Sequence, residues 1–295
     1  ALPVQADHLE ELVVTASQNT LTIDVADELL ISSDLAQLLK KAPGANVNTN
    51  GPLTGIPQYR GMFGSRIAVS LDGTHLAPSG PNWMDPPMSY AVGGQLESLK
   101  IYRGIVPVSV AQESIGGAID VKSIQGEFGA GENFELGGRL IGNAQSVNDA
   151  YHLESAVYAG NKHNRVRVAA MTENGDDAEF PDGKIRPTEY ERQRYDLGYG
   201  FRTGNQTLQL DYGYNDTGDS GTPALPMDIE TIKGDLYSLH YTFDRNEVVN
   251  ILVSLFSSNL DHTTPHYLLR EAPPASQHSL THPASAYIAF QLIPT

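Results

Sequence analysis

The chain has 295 residues, with 35 Asp and Glu against 19 Lys and Arg, a net charge of −16 and no cysteine. This balance excludes nucleic acid as the main partner, because phosphate binding requires clustered basic side chains. The missing thiols exclude disulfides, thiolate zinc sites, iron–sulfur clusters and a cysteine nucleophile.

Composition changes near residue 126. Before it, Asp34 stands ready to cap a helix in which Leu35, Leu38 and Leu39 form one apolar stripe and Gln37 lies three residues after the cap. Lys40 and Lys41 suit its carbonyl end, and Pro43-Gly44 stops it. Strand-like runs follow at Arg66–Leu71, Leu96–Tyr102 and Ala118–Lys122, each bounded by Gly or Pro. These elements predict a compact α+β domain.

After residue 126 the pattern turns to alternation over segments of about ten residues, the length a tilted barrel strand needs. Eight are predicted, at 133–144, 149–160, 163–174, 191–202, 206–216, 235–244, 247–258 and 284–292. Short connections (Asn161–Lys162, Gly204–Asn205, Arg245–Asn246) alternate with long ones (Gly175–Tyr190, Thr217–Gly234, Ser258–Pro283). That layout fits a transmembrane barrel, and a soluble sandwich with irregular loops is the alternative. Eight strands cannot surround a domain, and an open sheet in lipid leaves two unpaired edges. The expectation is therefore an incomplete barrel, completed by more of the same protein or by a second chain. There is no His-Glu-x-x-His, Gly-x-Ser-x-Gly, phosphate-cradling lysine loop or dinucleotide fingerprint, so no enzyme is expected.

Six motifs, in order, resemble the plug of TonB-dependent outer-membrane receptors. They are Glu10-Glu11-Leu12-Val13-Val14-Thr15-Ala16, similar to a TonB box, Leu35–Gly44, Pro57–Met62, Arg66–Gly73, Leu96–Gly104 and Ser114–Val121. The resemblance implies three parts: residues 1–20 as TonB box and periplasmic linker, 21–126 as the plug, and 127–295 as the first barrel strands. It also implies a bacterial outer-membrane location and contact with lipid and lipopolysaccharide. A TonB-type periplasmic protein would take Glu11, Leu12, Val13, Val14, Thr15 and Ala16 as an added strand.

The stretch Gly80-Pro81-Asn82-Trp83-Met84-Asp85-Pro86-Pro87-Met88 resembles the plug-apex loop of the copper-receptor subfamily. Asp261-His262 resembles the barrel loop in which that subfamily places a His-x-Met pair. The resemblance implies copper as ligand, with Met84 and His262 as metal ligands, since thioether and imidazole suit Cu(I). Gly80 stands in place of the subfamily's Cys and Thr264 in place of its second Met. Met88, His266, Trp83 and Asp85 complete the candidate ligand-binding set. The other readings are that Met84 and Met88 pack the plug beside Trp83 and that the loop histidines are solvated. An energy-coupled copper importer and a split receptor with an assembly role both remain open.

Overall fold

The computed structural model describes residues 20–25, 33–76, 78, 81–108, 110–111, 114–246, 249–274, 279–282 and 284–294. The proposed TonB box and Gly80 lie outside the described residues.

The first domain holds two small sheets. Strand β1 (Thr20–Asp24) precedes the capped segment Leu35–Lys41, which forms a 3-10 helix. Asp34 accepts from the Ala36 N–H at 3.0 Å and from Gln37 Nε2 at 2.6 Å, and Leu35, Leu38 and Leu39 are buried. Strands β2 (Ala45–Thr49), β3 (Gly55–Tyr59) and β4 (Met62–Phe63) form a three-stranded sheet. The β3–β4 turn is Arg60-Gly61, both left-handed (φ 49° and 76°), the geometry a two-residue hairpin loop demands.

Strands β5 (Ala68–Leu71), β6 (Thr74–His75), β7 (Leu96–Tyr102) and β8 (Ala118–Ser123) join β1 in the order β1-β7-β8-β5-β6, with β5 and β8 parallel. The Asp72-Gly73 turn is left-handed at both residues (φ 50° and 79°). The Asp72 carboxylate accepts from the N–H and Oγ of Ser123 at 2.8 and 2.6 Å, tying the hairpin to β8. Both dipeptide motifs thus have a conformational reason.

The second part is one antiparallel meander. Its strands are β9 (Glu135–Gln145), β10 (Ala150–Gly160), β11 (Asn164–Gly175), β14 (Tyr190–Thr203), β15 (Gln206–Ser220), β16 (Thr231–Asn246), β17 (Val249–Pro265) and β19 (Ala284–Pro294). A short hairpin, β12 (Ala178–Phe180) with β13 (Gly183–Ile185), fills the β11–β14 loop, and β18 (Leu280–Thr281) pairs the far end of β17. All eight predicted strands are present. Among the described residues β9 pairs only with β10 and β19 only with β17, so the sheet is open.

Several boundaries differ from the expectation, among them the Thr217–Gly234 connection, since β15 runs to Ser220 and β16 begins at Thr231. Arg245-Asn246 is not the turn, because β16 runs to Asn246, which pairs with Val249 after a bulge. The Ser258–Pro283 loop also begins later. The pairs Lys233↔Asp261, Ile232↔His262 and Thr231↔Thr263 carry β17 to Pro265, so His262 lies in a strand rather than a loop. Polar residues at the strand top hid this extension, which cross-strand pairing stabilises.

The sheet is apolar outside and charged inside. On β14, Arg192, Arg194 and Asp196 are buried while Tyr195, Leu197, Tyr199 and Phe201 are exposed. Leu136, Leu140, Val157, Val168, Tyr237 and Leu255 continue the exposed apolar face. A water-soluble sheet buries the opposite face, whereas this arrangement suits lipid outside and a polar lumen.

The inner face grips the first domain. Glu173 accepts from Arg192 Nε at 2.8 Å and lies 3.1 Å from His152 Nδ1, and His152 Nε2 lies 3.0 Å from Glu154. This row crosses β10, β11 and β14 through the register pairs His152↔Glu173 and Glu173↔Arg192. From it, Arg192 donates to the carbonyls of Ser89 at 2.7 Å and Ser33 at 2.8 Å, and Glu154 accepts from the Gly94 N–H at 2.9 Å. Gly94 is required here, since an added Cβ would stand 2.4 Å from the Glu154 carboxylate.

Candidate metal centre

The segment after β6 turns through Asn82 and Trp83, both left-handed (φ 54° and 56°), and then enters Asp85-Pro86-Pro87. Pro87 opens a short 3-10 turn, Pro87–Tyr90, where its missing N–H and fixed φ cost nothing. The turn drives Met84, Asp85, Met88 and Tyr90 into the seam between plug and wall, all essentially inaccessible to solvent. On the wall, alternation along β17 points Leu260, His262 and Thr264 inward.

The two elements meet at a buried triad. His262 Nε2 lies 3.1 Å from the Asp85 carboxylate and 3.2 Å from the Tyr90 hydroxyl, which donates to Asp85 at 3.1 Å. Burial, and next the Asp85 charge, push the Tyr90 hydroxyl well above its ordinary value, so it keeps its proton. With Nε2 facing two oxygen acceptors, its proton is held there. Nδ1 is buried and has no hydrogen-bond partner. A carboxylate fixing one imidazole nitrogen while the other carries a free lone pair is the usual support of a metal-ligating histidine.

Met84 and Met88 share one buried cluster with Met227, Ile229 and Leu260. In the sequence Met227 belongs to the stretch Gly221–Asp228, which also resembles the copper-receptor subfamily, but its thioether is not among the candidate ligands. The structure places the other candidates apart from the triad. Trp83 is half-buried and its ring covers Gly64, where an added Cβ would sit 3.1 Å away, so it packs the plug. His266 lies past the end of β17, half-buried, its backbone bridged to Met227 and its ring edge-on to Tyr267. Thr264 is buried and donates to the Thr281 carbonyl at 3.4 Å. Among the described residues no three His, Cys, Asp or Glu side chains are grouped to hold a metal ion, so a centre here draws on thioethers.

Comparison with known proteins agrees with this architecture. Residues 13–118 match the family model of the TonB-dependent Receptor Plug Domain. The comparison with curated proteins returned no match. Among solved structures, the copper transporter OprC superposes with a TM-score of 0.83 at 24% identity, over 94% of this chain and 44% of that one. The Serratia marcescens hemophore receptor HasR, in complex with HasA and heme, gives 0.72 at 17% identity, over 85% and 39%. A mutant of the ferric enterobactin receptor PfeA from Pseudomonas aeruginosa gives 0.63 at 15% identity, over 92% and 44%. The chain spans less than half the length of each of these structures. Residues 13–118 are thus similar to the plug domain of TonB-dependent receptors, and the chain as a whole shares the fold of these solved structures.

Proposed function

We propose that the chain belongs to an outer-membrane receptor that imports a scarce ligand by TonB-coupled transport, with copper as the cargo. The observation that carries this is the buried histidine. His262 is fixed through Nε2 by Asp85 and Tyr90, and its Nδ1 is unpartnered in a seam that also buries Met84 and Met88. Thioether sulfur with imidazole nitrogen suits Cu(I) and suits hard cations poorly. The likeness to a structure named as a copper transporter supports the same cargo, while likenesses to heme and enterobactin receptors support only the general activity. Coupling would come from the segment Glu11-Leu12-Val13-Val14-Thr15-Ala16 adding as a strand to a TonB-type protein in the periplasm. The open edges of β9 and β19 would be paired in lipid by further strands, from the same protein or a second chain.

Titration of the purified protein with Cu(I) against a chromophoric chelator tests the reading. One Cu(I) per chain in the wild type, lost in both His262→Ala and Met84→Leu, is expected. Copper binding that survives both substitutions contradicts it. One observation favours the other reading, a receptor-like wall with an assembly role: Thr264 spends its hydroxyl on the Thr281 carbonyl, away from any metal.

A further inference from the structure

A cavity separate from the triad lies beside the plug helix. A cavity of about 430 Å³ opens between plug residues 33–52 and the wall, with Asp34, Thr49, Asn148, Thr188, Tyr190 and Pro223 among its lining. It shares no residue with the Met84–His262 seam. The β9–β10 turn and the long connections after β11, β15 and β17 occur at the same end of the meander. By the layout of outer-membrane barrels that end faces the outside, so the cavity is at the receiving end. Its size is within the range of small-molecule sites.

The polar lining of this cavity mixes hydroxyls and amides, which both donate and accept, with one carboxylate, and among the described residues it carries no cation. Asn148 is buried and its Oδ1 has no hydrogen-bond partner. Asp34 supplies a carboxylate and Thr49 a hydroxyl, and none of the described lining residues is Lys, Arg or His. Arg192 does not line the cavity, although its charge acts on Asp34, and it spends its guanidinium on Glu173 and on the Ser33 and Ser89 carbonyls. Burial lifts the Asp34 carboxyl above its ordinary value, opposed by the Gln37 amide and the Ala36 N–H. A cation entering the cavity would offset that penalty. Pro52, Val147 and Pro223 provide apolar walls that suit a short methylene chain.

We infer that this cavity binds a small amine-bearing cation, with the ammonium placed between Asp34 and Asn148. The inference stands apart from copper import, since neither site needs the other. Calorimetric titration of the full-length protein in detergent micelles would use three probes of one length: 1,5-diaminopentane, 1,5-pentanediol and glutarate. The diamine alone is expected to bind. Asp34→Asn keeps an N-cap acceptor and removes the charge, and should weaken diamine binding at least tenfold. Asn148→Asp adds a charge opposite and should tighten it. Unchanged thermal unfolding of both variants separates these effects from misfolding. The proposal is overturned if the three probes bind alike, if the diamine does not bind, or if neither variant shifts its affinity. Loss of copper binding in His262→Ala with diamine binding intact would keep the two sites distinct.

Discussion

At the scale of single residues, each buried polar atom is defined by what it touches. Asp85 is fully buried and contacts both Tyr90 and His262. If Asp85 orients His262, Asp85→Asn should weaken Cu(I) binding by roughly 10–100-fold, the usual cost of losing such a support. The chelator competition that measures this would show no change if Asp85 served only packing. The same assay reads the double substitution Gly80→Cys with Thr264→Met, which adds a thiolate and a thioether and should raise Cu(I) affinity if the two segments converge. Asp34 gives a stability test instead. Replacing it with Ala removes the acceptor for the Ala36 N–H and should cost about 1 kcal/mol, read by denaturant unfolding of the plug. The capping residue and its leucine stripe were legible in the sequence, because both depend on neighbours within four positions. The triad was not, because Asp85 and His262 are separated by most of the chain and nothing local records their meeting.

At the scale of elements, alternation fixed the eight long strands to within a few residues at most ends. It failed at the tops of β16 and β17, where Lys233, Asp261 and Thr263 look like loop residues. There the strands rise past the apolar band, and hydrogen bonding to a neighbour replaces hydrophobic patterning as the reason to stay extended. The inward charges of β14 read as polar alternation in the sequence. Only the fold shows that Arg192 and Glu173 form a buried pair that reaches across to plug carbonyls. Breaking one partner of such a pair leaves the other charge buried, at about 3–5 kcal/mol. Arg192→Met should therefore loosen the plug from the wall, seen as faster hydrogen exchange in Ser33–Lys41 and Pro87–Tyr90. Exchange unchanged in both segments would show that the ladder does not hold the plug. Gly94→Val is expected to act in the same direction, by forcing a side chain into the Glu154 carboxylate.

At the scale of the whole molecule, the sheet turns an apolar face outward and a charged face toward the plug. The plug is fastened by buried ion pairs and hydrogen bonds as well as by an apolar cluster that runs from Met84 and Met88 to Met227, Ile229 and Leu260, and the triad joins the candidate cargo site to both parts. A pull on the plug that moves Asp85 away from β17 would remove the oxygens that fix His262 Nε2, weakening its hold on a metal as the path opens. Binding and release would then share one contact. Copper accumulation in cells making the full-length protein tests this most directly, comparing wild type with Leu12→Pro in the coupling segment and with His262→Ala. The account predicts accumulation that is lost in both variants and on collapse of the proton gradient. Accumulation equal to that of cells lacking the protein, or unaffected by Leu12→Pro, would contradict it.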